Sequence, residues 1–315
     1  MKIAVLILST SKEPSTSNVQ AMKDTFIAYC STNKDKLNHE YMFYEYYGLG
    51  VDSATDIVKE TDNFSVIRLG ENDGIHYTFE KTVKAFREVN KIDNYDWFIR
   101  INISSYINIP LIDKILTMLN TGDVYTSAIN SYIDDFKYAN DIYPRGDFYM
   151  LSKEVYDKVE ANFDKYVINY NNLENILSIN VPHVDDCLFG LCMIDGVNQY
   201  YDHIKMFAYN FVPRGFDRRF ISLYAVSSRV KTLPPDATYS GYSWDDNEYR
   251  RCDGEKMKKI HDVVTSFNYS NVTPAMLRDV IVVNDSSERS RPTLFIHTSD
   301  ENISTFRNYL KRKRG

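Results

Sequence analysis

Tryptophan and cysteine are scarce in this chain, with two and four residues among 315. The thiols Cys30, Cys187, Cys192 and Cys252 include no C-x-x-C pair. That excludes a disulfide framework and the usual thiolate zinc spacings. Long apolar runs are missing too, since none approaches the roughly 18 residues a membrane helix needs, so no transmembrane segment is expected. The apolar stretch near Met1 is short, about six residues, and polar Thr10 to Pro14 follows it where a leader would carry a small-residue cleavage site. It reads as a buried strand, and with the free thiols it points to a cytoplasmic protein. Basic charge is in deficit: 37 Lys and Arg against 43 Asp and Glu give a net charge of −6. No nucleic-acid partner is therefore expected. No Walker A loop, dinucleotide G-x-G-x-x-G, H-E-x-x-H or G-x-S-x-G elbow occurs, which removes the commonest α/β enzymes.

What is present is globular and rich in aromatics, with 43% hydrophobic residues, 25 tyrosines and 17 phenylalanines. The first half alternates strand-like and helix-like periods. Ile3 to Ser9, Tyr41 to Tyr47, Val66 to Leu69, Trp97 to Ile103 and Val124 to Ala128 read as strands. Between them Ser17 can cap a helix with Val19, Met22 and Phe26 inward. Thr78 to Val89 carries Phe79, Val83 and Phe86 on one face, and Pro110 opens a helix with Ile112, Ile115, Leu116 and Leu119 inward. This β-α-β-α order predicts an α/β fold, a mostly parallel sheet with helices on both faces.

Past Tyr143 the alternation loosens. Tyr149-Met150-Leu151 predicts a strand leading into a helix over Lys153 to Ala161, and Asp185 to Ile194 predicts an apolar helix. From Lys231 to Gly254 no period is evident, although Tyr239, Tyr242, Trp244 and Tyr249 crowd there. A stretch of that kind is usually functional or mobile. Lys256 to Phe267 predicts an amphipathic helix. Val280 to Val283 and Leu294 to Ile296 predict strands, and a basic helix follows from Ile303. The expected division is one α/β domain over residues 1–265 and a strand–helix extension, or the start of a further domain, over 266–315.

Three segments carry chemistry. Trp97 to Tyr106 runs from a buried strand into a polar turn, and ligands of open α/β sheets sit beyond strand carboxyl ends. Tyr143-Pro144-Arg145-Gly146-Asp147-Phe148-Tyr149-Met150-Leu151-Ser152 sets a turn before a strand, with Ser152 positioned to cap the next helix. Val184-Asp185-Asp186-Cys187-Leu188-Phe189-Gly190 opens a helix with adjacent acids. One acid suits the helix dipole, and the second is free to act as a general base. Each segment also has a purely structural explanation: a strand end, a capped turn, two solvated acids.

In order and spacing the three resemble the nucleotide-sugar glycosyltransferases of GT-A (Rossmann-like) fold, near the β-1,3-galactosyltransferase and Fringe-like group. The leading strand is followed by Asp73-Gly74-Ile75-His76-Tyr77-Thr78-Phe79-Glu80-Lys81-Thr82, which resembles that group's D-x-Y-x-N-L-T-L-K-T at Asp73, Lys81 and Thr82. Arg100-Ile101-Asn102-Ile103-Ser104-Ser105-Tyr106 stands where the group has K-T-D-D-D-x-F. Gly146, Tyr149 and Ser152 match its S-G-x-G-Y-V-x-S segment, and Asp186 and Gly190 its E-D-V-x-x-G helix start. The likeness covers about residues 1 to 205, and its specificity lies in collinearity.

The resemblance implies an inverting transfer of a sugar from a nucleotide-sugar donor to a glycan hydroxyl, with Asp186 as the catalytic base. It implies Ser9, Thr10, Ser11, Lys81, Arg100, Asn102 and Ser104 on the donor, and Arg145, Gly146, Asp147 and Asp185 on the acceptor. Outside the span of the resemblance, the ring of Trp244 is a candidate to cover the apolar face of the acceptor sugar, unless the rings of that stretch simply pack down on the domain. One departure is large. The group's metal-binding carboxylates are here Asn102 and Ser104, neutral ligands that hold a hard cation poorly. No metal or other cofactor is therefore expected, and the leaving diphosphate needs protein cations. Candidates are Lys81, Arg100, Arg145, Arg214, Arg218 and Arg219. Two other readings stay open: a non-catalytic, sugar-binding relative, and, less well supported, a nucleotidyltransferase.

Overall fold

The computed structural model describes residues 1–12, 15–74, 77–126, 129–131, 142–144, 146, 148–167, 184–197, 204–207, 224–226, 253–266, 269 and 281–282. The strands are β1 (Lys2–Leu8), β2 (Glu40–Gly48), β3 (Asp56–Lys59), β4 (Phe64–Leu69), β5 (Trp97–Asn102), β6 (Ser105–Ile107) and β7 (Val124–Thr126). They continue with β8 (Ile129–Ser131), β9 (Ile142–Pro144), β10 (Phe148–Ser152), β11 (Ile204–Phe207), β12 (Tyr224–Val226) and β13 (Ile281–Val282). Nine of them form one sheet in the order β13-β11-β7-β10-β5-β1-β2-β4-β3. Strands β1, β2, β4, β5, β7 and β11 share one direction, and β3, β10 and β13 run against them. Among the described residues, β6 pairs with β12 and β8 with β9 outside this sheet.

β1 is central because its sequence is apolar on both faces, as a strand covered on both sides requires. Ile3, Val5 and Ile7 face one core cluster, while Ala4 and Leu6 face the other. The first cluster is covered by α1 (Ser15–Met22), which runs on through an irregular turn into α2 (Ala28–Thr32). The second is covered by α3 (Thr78–Ile92), whose Phe79, Val83, Phe86 and Val89 point inward. α4 (Ile109–Ile115) returns to the first face, opened by Pro110 and by Asn108, whose side chain accepts from the Leu111 amide at 3.1 Å. α5 (Lys153–Glu160), α6 (Phe163–Tyr166) and α7 (Val184–Gly196) pack on the second face, and α8 (Asp253–Ser266) on the first. No helix among the described residues is long and apolar enough to cross a membrane.

Much of the aromatic content goes into anchoring α3, α5, α6 and α7. Phe98 stacks on Tyr156 at 4.6 Å between ring centroids, and Phe86 meets Tyr156 at 5.7 Å and Phe189 at 5.8 Å. Such pairs contribute about 0.5–1.5 kcal/mol each beyond their buried area. The cluster fixes where α7 begins, and that start carries Asp185 and Asp186.

Several expectations are refined. The first helix begins at Ser15, whose hydroxyl meets Thr10 Oγ1 at 2.9 Å, so Ser17 lies inside the helix and does not cap it. Ser152 does cap α5, accepting from the Val155 amide at 3.3 Å. β10 is antiparallel to both neighbours, because alternation of elements does not specify strand direction. The edge strand β3, Asp-Ile-Val-Lys, has no apolar run to announce it. Met257, Ile260 and Val264 of α8 are buried as expected. Beyond residue 265, Tyr269 is buried and its hydroxyl accepts from Asn108 Nδ2 at 2.8 Å, while β13 pairs with β11. The aromatic stretch before Asp253, the strand at 294–296 and the basic helix lie outside the described residues.

Candidate functional site

The strand order reverses at β1, with β2 on one side and β5 on the other. The carboxyl ends of β1 and β5 therefore form the topological switch point, the place where open α/β sheets bind ligands. Ser9, Thr10 and Ser11 leave β1 there, and Asn102 to Ser104 leave β5.

Asp73, in the connection from β4 to α3, ties the first of these loops down. Its Oδ2 accepts from the Ser11 amide at 3.0 Å and the Ser11 hydroxyl at 3.3 Å. Its Oδ1 accepts from the Gly48 amide at 3.2 Å and from Lys81 Nζ at 3.1 Å. Lys81 is 2% exposed. Burial lowers its ammonium pKa, and Asp73 works against that loss. Ser9 is also buried, its amide donating to the Tyr46 carbonyl at 3.0 Å. Beside it, burial pushes the Glu45 carboxyl above its ordinary range, opposed by a hydrogen bond from Ser9.

Arg100 projects from β5 into the second core face, flanked in register by Leu6 and Tyr149. It is 3% exposed, and its Nη2 donates to Asp185 Oδ2 at 3.1 Å. The Tyr149 ring centroid lies 5.9 Å from the guanidinium carbon. Burial works against the cation, but Tyr46, Tyr149, Asp185 and Asp186 together hold it above its ordinary pKa. Nε of Arg100 has no hydrogen-bond acceptor among the described residues. Burial also pushes the Tyr149 and Tyr46 hydroxyls up; Tyr46 meets Thr82 Oγ1 at 3.0 Å.

Gly146 closes this arrangement. A Cβ at that position would collide with Arg100 Nη1 and Asp186 Oδ1. Its backbone does not require glycine through a positive φ, which among the described glycines belongs to Gly50; the requirement is space. Asp186 is 9% exposed, and the Asp185 side chain is more open at 22%. Both acids occupy the first turn of α7, where the helix dipole favours negative charge.

The structure thus brings together Lys81, Arg100, Gly146, Asp185 and Asp186, and joins Ser11 to them through Asp73. Asn102 and Ser104 stand at the end of the same strand as Arg100, but Asn102 serves its own turn. Its Oδ1 accepts from the Ser104 amide at 2.9 Å and the Ser105 hydroxyl at 3.0 Å. With that oxygen engaged and Ser104 buried, this strand end does not fit a divalent cation. Arg145, Asp147, Arg214, Arg218, Arg219 and Trp244 lie outside the described residues. Sequence reasoning took Asp73 only as a motif match and missed its role as a four-way acceptor. It also missed Tyr46, for which strand alternation gives no signal.

Fold and site together define an open α/β sheet with a buried, alternating charge cluster at its switch point. No protein-family model matches the chain, and a search of curated proteins finds no match. Among solved structures the chain is similar to a glycosyltransferase involved in the glycosylation of the major capsid of PBCV-1. The two are 13% identical over 56% of this chain and 76% of that one, with a TM-score of 0.27. A likeness of that degree assigns no residue a role.

Proposed function

We propose that the protein is a glycosyltransferase that moves a sugar from a nucleotide-sugar donor to a glycan hydroxyl, with inversion and without a metal. The supporting observation is the meeting of the Asp185–Asp186 helix start with the end of β5 at the switch point, collinear with the motifs that resemble such enzymes. In this reading Asp186 accepts the proton of the acceptor hydroxyl as its oxygen attacks the anomeric carbon. The bond from that carbon to the diphosphate oxygen breaks, and the nucleoside diphosphate leaves with the electron pair. Ser9 to Ser11 border the nucleotide, and Gly146 and Asp185 border the acceptor. Lys81 and Arg100 are buried and ion-paired, which favours a role in shaping the donor wall. Direct phosphate contact then falls to Arg145, Arg214, Arg218 or Arg219.

The pairing of both buried cations also favours a second reading, a sugar-binding relative without turnover. The two are separated by release of nucleoside diphosphate from a panel of nucleotide sugars, assayed with and without a glycan acceptor. Acceptor-dependent release supports the enzyme. Saturable sugar binding with no release supports the binding protein.

A further inference from the structure

Asp185 and Asp186 are neighbouring carboxylates in the first turn of one helix, and among the described residues the guanidinium of Arg100 lies against both. Its Nη2 bonds Asp185 Oδ2 at 3.1 Å, and its Nη1 lies beside Asp186 Oδ1 under Gly146. Among the described residues, the charged and titratable groups around them include Tyr46 of β2, Lys81 of α3, Tyr149 of β10 and, beyond Lys81, Asp73. The charges alternate along these residues: Asp73, Lys81, Asp185, Arg100, Asp186.

We propose that Arg100 is a positioning residue for the Asp185–Asp186 pair, fixing the direction of both acids and setting a positive charge beside Asp186, and is not a ligand of the donor diphosphate. This rests on the reading of Asp186 as the base and deepens it. Three observations carry it. At 3% exposure the guanidinium has little surface to offer a phosphate. Its fork is already bonded to Asp185 on one arm and faces Asp186 with the other, a geometry suited to arginine and not to lysine. Gly146 supplies no side chain where one would part Nη1 from Asp186 Oδ1, so the glycine acts through Arg100 and the acid.

The test needs no substrate. The protein carrying ¹³C-carboxyl aspartate is titrated by NMR, with the Asp186 signal assigned through Asp186→Asn. In Arg100→Met the Asp186 midpoint should rise by about one to three pH units, the size expected when a facing opposite charge is lost. Arg100→Lys should reverse part of that rise. Gly146→Ala should raise the Asp186 midpoint as well, since its Cβ would stand between Nη1 and the acid. Should Arg100→Met fail to fold, the Gly146→Ala titration decides alone. A wild-type Asp186 midpoint in Arg100→Met, or in Gly146→Ala if that is the folded variant, would overturn the proposal. Donor turnover is measured in parallel. A raised midpoint with undiminished turnover leaves the role of Arg100 standing and removes Asp186 as the base; an unmoved midpoint overturns Arg100's role whatever turnover does.

Discussion

The ammonium of Lys81 lies 3.1 Å from the carboxylate of Asp73, and that carboxylate also receives the amides of Ser11 and Gly48. One side chain thus joins the loop after β1, the end of β2 and the start of α3. The lysine is almost wholly buried, so it depends on its partner.

Removing Asp73 should therefore cost more than an ordinary surface pair. Asp73→Ala takes from a buried ammonium its carboxylate hydrogen-bond partner and should destabilise the fold by about 3–5 kcal/mol, read from urea unfolding. Replacing both residues, as Asp73→Ala with Lys81→Met, should recover part of the loss. A change near zero in the single variant would mean that water replaces the carboxylate freely.

The stability of the protein should fall in mild acid through His39. Both ring nitrogens are buried and without a partner among the described residues. Burial lowers the ring's pKa from 6.5, with the Asp113 carboxylate opposing. The folded state therefore binds a proton less readily than the unfolded chain. Stability is complete above the unfolded value and declines as pH falls through it. His261, lowered by burial on α8, acts with the same sign. His39→Gln should flatten the loss of unfolding midpoint between about pH 7.5 and about pH 5.5. An unchanged slope would place the acid sensitivity elsewhere.

The aromatic cluster should matter for the site as well as for the core. Phe86 is fully buried against Phe98, Tyr156 and Phe189, the last of them on α7. Phe86→Ala should cost about 3–5 kcal/mol in urea unfolding. If the cluster holds the start of α7, turnover at a temperature where the variant stays folded should fall too. Full activity in a destabilised variant would show that α7 is held by other contacts.

Donor turnover should survive EDTA, since Asn102 Oδ1 is committed to its own turn and Ser104 is buried. Activity lost on chelation and restored by Mn²⁺ would contradict this, and would point to ligands beyond this strand end.

The elements that hold the site were legible wherever burial imposed a period. β1, β2, β5 and α3 follow from apolar runs and a 3.6-residue stripe, and the cap at Ser152 from residue type. The direction of β10 was not legible, because a strand's period is the same both ways. Nor were the partners within the site. Arg100 and Asp185 are 85 residues apart, and Ser11 and Asp73 are 62. A charged residue in a buried strand announces that it has a partner without naming it. Asn102 shows the reverse case: it stands at a motif position, yet its side chain is spent on a local turn that the same sequence also predicts.

The central claim is that Asp186 takes the acceptor's proton during transfer from a nucleotide sugar. The most direct measurement is nucleoside diphosphate release, with the donor that wild type turns over, in Asp186→Asn and Asp185→Asn beside wild type. Donor binding is followed separately by thermal shift. The account predicts a fall of about 10²–10⁴-fold in turnover for Asp186→Asn with donor binding retained, and a smaller fall for Asp185→Asn. Wild-type turnover in Asp186→Asn, or no release by wild type from any nucleotide sugar, would contradict it.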